Sequence, residues 1–179
     1  DCADDFRAIN TRRADASRFE LRAEAQVIDA QGNIRRRISS SSQFDLSNGV
    51  RMKTTGLATQ PDIVIVHDRG WRRDKGGWTP MPQAQLDEAL KNLSANSYFH
   101  DAGISDVECS GDDVFEGEKR LAFQFNQNVN GVAMKVVAYF DVYSRLPAAS
   151  VAVADVKDMK IRIVNRISMS STIAIETPE

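Results

Sequence analysis

His67 and His100 are each followed by an aspartate, Asp68 and Asp101. Imidazole beside carboxylate is the raw material of acid–base or metal chemistry. Here the two pairs stand in different segments, and no His, Cys, Asp or Glu set shows metal-ligand spacing. A serine run, Ser39-Ser40-Ser41-Ser42, offers hydroxyls but no Gly-x-Ser-x-Gly elbow to strain one into a nucleophile. It reads more simply as a polar strand face. No glycine-rich phosphate loop and no dinucleotide fingerprint occurs, so neither a metal nor a nucleotide cofactor is expected, and no catalytic residue is assigned. The expectation is a protein that is not an enzyme.

Two residue types remain with something to do. Cys2 and Cys109 both stand in polar, acidic contexts, Asp-Cys-Ala-Asp and Glu-Cys-Ser-Gly. They are either two separate thiols or one disulfide of an exported protein, and the polar settings favour the bridge. The start at Asp1 without Met fits removal of a signal peptide or a trimmed boundary. Asp1 ahead of Cys2 counts against a lipid anchor on that cysteine. Trp71 and Trp78 flank Arg73-Asp74-Lys75-Gly76. If those four residues form the turn, the indoles oppose each other on one hairpin face, either as a structural pair or as the lining of an apolar cavity.

Elements that position such residues follow from the hydrophobic period. Phe19, Leu21, Ala23, Ala25 and Val27 alternate with polar residues, which is the pattern of a strand packed on one side. Similar runs read as strands at residues 34–44, 50–55, 63–67, 70–73, 77–79, 105–110, 119–126, 132–142, 148–154, 159–164 and 167–175. Turn signals separate them: residues 29–33, Asn48-Gly49, Gly76-Gly77, Gly111-Asp112-Asp113 and Asn130-Gly131. Two segments break the rhythm. Phe6 and Ile9 allow a short helix over residues 3–10. Pro82 opens a clearer one over 83–95, with Leu86, Leu90 and Leu93 as one stripe and Ala89 beside it.

The chain has 179 residues, 23 Lys+Arg against 25 Asp+Glu and a formal charge of -2. That length fits one domain spanning 1–179. The near-neutral balance argues against nucleic acid, which demands a strongly basic face. No apolar run reaches the roughly 20 residues of a transmembrane helix. Arg35-Arg36-Arg37 and Arg72-Arg73 with Lys75 are small basic clusters, either solvated faces or contacts for anionic lipid or an acidic partner. Leu121, Phe123 and Phe125 share one face of their strand; Val132, Met134, Val136, Ala138 and Phe140 share a face of the next. So much sheet with so little helix must either curl and fill itself or leave a groove.

The order of parts resembles the LolA/LolB-like superfamily, the bacterial periplasmic lipoprotein-carrier fold. The matching residues are Val64-Ile65-Val66 followed by Gly70-Trp71, then Gly76-Gly77-Trp78-Thr79-Pro80-Met81-Pro82 and the helix after it. Farther on, Phe140-Asp141-Val142-Tyr143-Ser144-Arg145-Leu146-Pro147 resembles the family's strand that leads into a Leu-Pro turn, and a final pair of strands follows. The likeness covers most of residues 17–175. It implies a mainly β, α+β fold: a strongly curved antiparallel sheet, half a barrel, with one or two helices as a lid over an apolar concavity.

The resemblance further implies a periplasmic or secreted protein that binds a lipid, acyl chain or lipoprotein. Trp71, Trp78, Phe123, Phe125 and Phe140 are the aromatic candidates for apolar contact in such a cavity. The alternative is an envelope interaction module with a self-filled core, which would meet a protein partner through its strand edges or the Arg35–Arg37 face.

Overall fold

The computed structural model describes residues 1–56, 60–93 and 96–179. These form two helices, α1 (Cys2–Asn10) and α2 (Gln83–Lys91), and eleven strands. The strands are β1 (Arg18–Ile28), β2 (Ile34–Asp45), β3 (Arg51–Thr55), β4 (Ile63–Val66), β5 (Arg69–Asp74) and β6 (Gly77–Pro80). After α2 come β7 (Ile104–Phe115), β8 (Glu118–Val129), β9 (Val132–Asp141), β10 (Pro147–Val156) and β11 (Met159–Met169). They make one sheet in the order β6-β5-β4-β3-β2-β1-β11-β10-β9-β8-β7, open because β6 and β7 are both edges. The mainly antiparallel sheet that the period of two predicts is therefore present.

Local chemistry explains most boundaries. Asn130 and Gly131 both take positive φ, 51° and 81°, which closes the β8–β9 hairpin in the two-residue form that matches strand twist. Asp29 builds the β1–β2 turn by accepting from the Gln31 and Asn33 amides at 3.0 and 2.8 Å. Helix α1 is capped by the Asp1 carboxylate, 2.9 Å from the Asp4 amide, with Asp4 and Asp5 in the positive first turn. Helix α2 starts after Pro82 and ends at Lys91, short of the predicted 95; Ser94 and Ala95 lie outside the described residues. Edge strand β7 carries register shifts and four carboxylates, and β6 has four residues ending in proline; both features discourage edge pairing.

Three expectations are corrected. Gly111-Asp112-Asp113 is not a turn: β7 runs through it, and the extra residue is absorbed as a register shift between Cys109 and Gly111. The predicted pair of final strands is one strand, β11; residues 170–179 continue its apolar alternation without joining a ladder. The turn between Trp71 and Trp78 is Lys75-Gly76 alone, so Trp78 opposes Arg73 while Trp71 opposes Pro80. The indoles share a face but sit diagonally, two residues out of register.

The chain divides into two compact units. The first comprises Asp1–Thr11, Ala23–Ile38 and Asp101–Ile167; the second comprises Arg12–Arg22, Ser39–His100 and Ser168–Glu179. In the first unit α1 packs on β8 and β9. In the second unit α2 packs on one face of β3–β5 through Leu86, Met81, Met52 and Ile65. Gly70 permits that approach, since a Cβ there would meet Leu86 and Met81 at 3.1 Å.

Candidate functional site

In the first unit the pairing register sorts side chains by face. Phe125, Val136, Ala152 and Ile163 are successive partners across β8, β9, β10 and β11; Phe123, Ala138, Ser150 and Asn165 form the next row. Phe140 pairs with Leu121 on the same face. Onto it α1 lowers Phe6, whose ring centroid lies 5.6, 4.9 and 6.3 Å from Phe123, Phe125 and Phe140. All four rings are buried, and Phe140 has no exposed surface. The spacing of Phe6 and Ile9 marks a helix here but not the surface it meets. The α1 residues are fixed covalently as well: Cys2 and Cys109 form a disulfide.

Away from α1 the same rows open. Across β10 they pass over small residues, Ser150, Ala152 and Ala154, all buried. On β11 they end in Ile161 and Ile163, half-buried, and on β9 Met134 is half-buried too. Small residues flanked by larger, partly open aliphatic ones leave a shallow apolar stripe. Beside α1 lies a cavity of about 230 Å³. Phe6, Ile104 and Val107 line it together with Arg7, Asp101 and Asp106. It is smaller than the roughly 300–1,000 Å³ typical of small-molecule pockets.

In the second unit Trp71 and Trp78 lie on the face opposite α2. Trp71 pairs with Val64, whereas Ile65 and Gly70 point at the helix. The C-terminal segment covers the tryptophan face: Ile173 and Ile175 pack with Val64 and Val66 against both indoles. Arg69 stands over the Trp71 ring at 5.2 Å and Arg73 over Trp78 at 5.9 Å. A cleft of about 490 Å³ adjoins the segment, with Lys53, Trp78 and Glu176 among its walls.

The structure thus brings Phe123, Phe125 and Phe140 together under Phe6 and groups Trp71 with Trp78 under the C-terminal segment. Signals for both covers were visible as alternating or helical apolar residues; only the surfaces they would meet were not.

The electrostatics of the second unit centre on Asp45, 4% exposed. Burial works against its charge. The Ser47 hydroxyl and amide and the Arg18 guanidinium outweigh burial and hold the carboxyl below its usual range. Burial raises the phenol of Tyr98, although its oxygen accepts from the Arg13 amide at 3.0 Å; its hydroxyl donates to the Ala16 carbonyl at 2.8 Å. In the basic cluster of β2, Arg35 pairs with the largely buried Asp29 side chain at 2.5 Å and Arg37 with Glu24 at 3.9 Å, both arginines being exposed. His67 occupies the β4–β5 turn. Among the described residues no three of His, Cys, Asp and Glu are grouped to hold a metal.

No family model matches the sequence, and no curated protein matches it. The structure of the lipoprotein LppX from Mycobacterium tuberculosis is similar over 90% of both chains, with a TM-score of 0.52 and 9% identity. The fold is LolA-like. A LolA superfamily protein from Nitrosomonas europaea matches over 88% of each chain at a TM-score of 0.38 and 6% identity. An outer membrane lipoprotein-sorting protein domain from Vibrio parahaemolyticus matches over 97% of this chain and 92% of that one, at 0.37 and 10%. At 9% identity the likeness to LppX concerns the fold alone. Among the described residues no helix is long and apolar enough to cross a membrane.

Proposed function

We propose that this is a non-enzymatic, exported protein that binds an acyl chain or acyl-bearing molecule along the α1 face of its first unit. The observation carrying this reading is the apolar stripe that emerges from beneath α1. It begins at the buried Phe123, Phe125 and Phe140 and ends at the half-buried Met134, Ile161 and Ile163. A flexible methylene chain suits a shallow stripe that offers few hydrogen-bonding groups. Each buried methylene contributes about 0.8 kcal/mol, so ten of them supply about 8 kcal/mol before the cost of immobilisation. The disulfide and the fold shared with LppX, itself a lipoprotein, support placement in an oxidising envelope compartment, periplasmic or secreted.

A second reading is favoured by one observation: Phe6 already fills the inner end of the stripe. On that reading the face is a finished core, and the protein is an envelope interaction module meeting a protein partner.

A fluorescent fatty acid separates the two. Acyl binding predicts saturable binding by the wild-type chain and co-purified lipid in its solvent extract, read by mass spectrometry. Ile163→Asp then weakens fatty-acid binding at least tenfold, roughly 1.4 kcal/mol, by placing a charge in the stripe. A clean extract with no fatty-acid binding sinks the acyl reading in favour of the module.

A further inference from the structure

The tryptophan face of the second unit has a cover that is not part of the sheet. β11 ends at Met169, and the following ten residues belong to no strand or helix. They nevertheless alternate: Ile173 and Ile175 are 8% and 3% exposed, while Thr172, Ala174 and Glu176 face solvent. Such period-two alternation is the signature of an extended segment laid on a surface. The surface is built by register: Val66 beside Arg51, then Lys53, Val64 and Trp71 in a row, with Trp78 opposite Arg73.

The groove grips backbone as well as side chains. Arg51 Nη1 donates to the Ile175 carbonyl at 3.0 Å, and Arg18 Nη1 to the Ser171 carbonyl at 3.1 Å. Among the described residues Arg51 Nε is buried with no hydrogen-bond partner, a donor left over on the side chain that holds the Ile175 carbonyl. A peptide offers a series of carbonyl oxygens to such donors; an acyl chain offers none along its length. Lys53, Arg69 and Arg73 make the surroundings basic, and the covering segment carries Glu176 and Glu179.

We propose that this face is a docking groove for an extended, acidic peptide segment of a partner protein with aliphatic residues at positions i and i+2, and that residues 170–179 occupy it in cis. Ile173 and Ile175 act as a built-in occupant. A partner binds by displacing them, setting its own aliphatic pair on Val64, Val66, Trp71 and Trp78 and its carbonyls on Arg51 and Arg18. This is main-chain capture with alternate side-chain pockets, as in strand-addition recognition, although no ladder is used.

The chain holds only two tryptophans, and both line this groove, so intrinsic fluorescence reads it without a label. The experiment uses the full chain carrying Ile173→Ser and Ile175→Ser, with a fluorescein-labelled synthetic peptide of the sequence of residues 170–179 as probe. Loosening the cis segment is expected to shift tryptophan emission to the red. The peptide then binds saturably, raises polarisation and restores the blue emission. The wild-type chain binds the same peptide at least roughly tenfold more weakly, because its groove is already occupied. Circular dichroism checks folding; if the double variant does not melt cooperatively, Ile175→Ala takes its place in the same titration.

No peptide binding by the loosened variant overturns the proposal, and so does equal binding of a control peptide with serines at the two isoleucine positions. Sodium laurate restoring the emission as fully as the peptide also overturns it, since the groove is then a lipid site. The stripe of the first unit contains no tryptophan, so failure of its fatty-acid binding leaves this titration unaffected.

Discussion

Each compact unit carries one nine-residue helix on an antiparallel face, yet the two are secured by different chemistry. In the first, α1 is tied to β7 by the Cys2–Cys109 bridge and plugs Phe6 among three phenylalanines. In the second, α2 rests through Leu86 on Met52, Ile65 and Met81 without a covalent tie, and the opposite face is covered by a segment held by two isoleucines and two arginines. Around it, Asp45, Arg18, Ser47 and the Arg12 guanidinium on the Leu46 carbonyl knit the chain by polar contacts. An isolated nine-residue helix is marginal in water, so each needs help from outside itself. One region solves this with sulfur and aromatic rings, the other with aliphatic packing and hydrogen bonds. The first therefore depends on a reducible bridge, and the second, without one, on packing and polar contacts.

The largest effect that tests this contrast is cavity formation under α1. Phe140→Ala removes a fully buried ring touching Phe6 and Phe123 at centroid distances of 6.3 and 5.9 Å. The expected cost is about 3–5 kcal/mol, read by denaturant unfolding. A cost below about 1 kcal/mol, the scale of a surface substitution, would show that the aromatic cluster does not secure the first unit.

Breaking the bridge comes next. Cys2→Ser with Cys109→Ser removes a link spanning 107 residues. Loss of a native disulfide typically costs 2–5 kcal/mol, largely through the unfolded chain in the entropy model. Hydrogen exchange sharpens the point: protection is expected to fall in α1, with α2 unchanged. Equal loss in both helices would erase the contrast.

Much of this was legible in sequence, for physical reasons that name particular residues. The period of two survives because one sheet face is packed, so Phe123 and Phe125 alternate with exposed Gln124 and Asn126. Asn130-Gly131 was legible because few residues tolerate two successive positive φ angles. The Leu86, Leu90 and Leu93 stripe lies against the Met52–Ile65 cluster as the helical spacing requires. What failed was a matter either of partners at a distance or of turn length. Ile167, Ile173 and Ile175 read as one strand because alternation records a covered face, whether a ladder or a loose segment supplies it. A turn of Arg73-Asp74-Lys75-Gly76 would oppose Trp71 and Trp78, but turn length, not composition, sets register, and the turn is Lys75-Gly76 alone. The bearing of Phe6 on Phe140 is a contact between residues far apart in sequence, which no local window records.

The smallest effect belongs to the polar side of the comparison. Asp45 titrates below its usual range because burial is outweighed by Ser47 and Arg18. A carboxyl depressed in the folded state contributes stability above its unfolded value of about 3.9, and that contribution is lost as the pH falls through the folded pKa. Lowering the pH from 5 toward 2 is thus expected to loosen the second unit through this group. Asp45→Asn keeps one acceptor oxygen and the shape, so its cost at neutral pH is about 1 kcal/mol. Its unfolding free energy should fall less steeply with acid than that of the wild type. Exchange at Leu46, whose amide donates to the Ser17 carbonyl at 2.9 Å, reports the region directly. If wild type and Asp45→Asn lose stability with the same slope below pH 4, the acid response arises elsewhere, and polar closure of the second unit does not depend on this carboxylate.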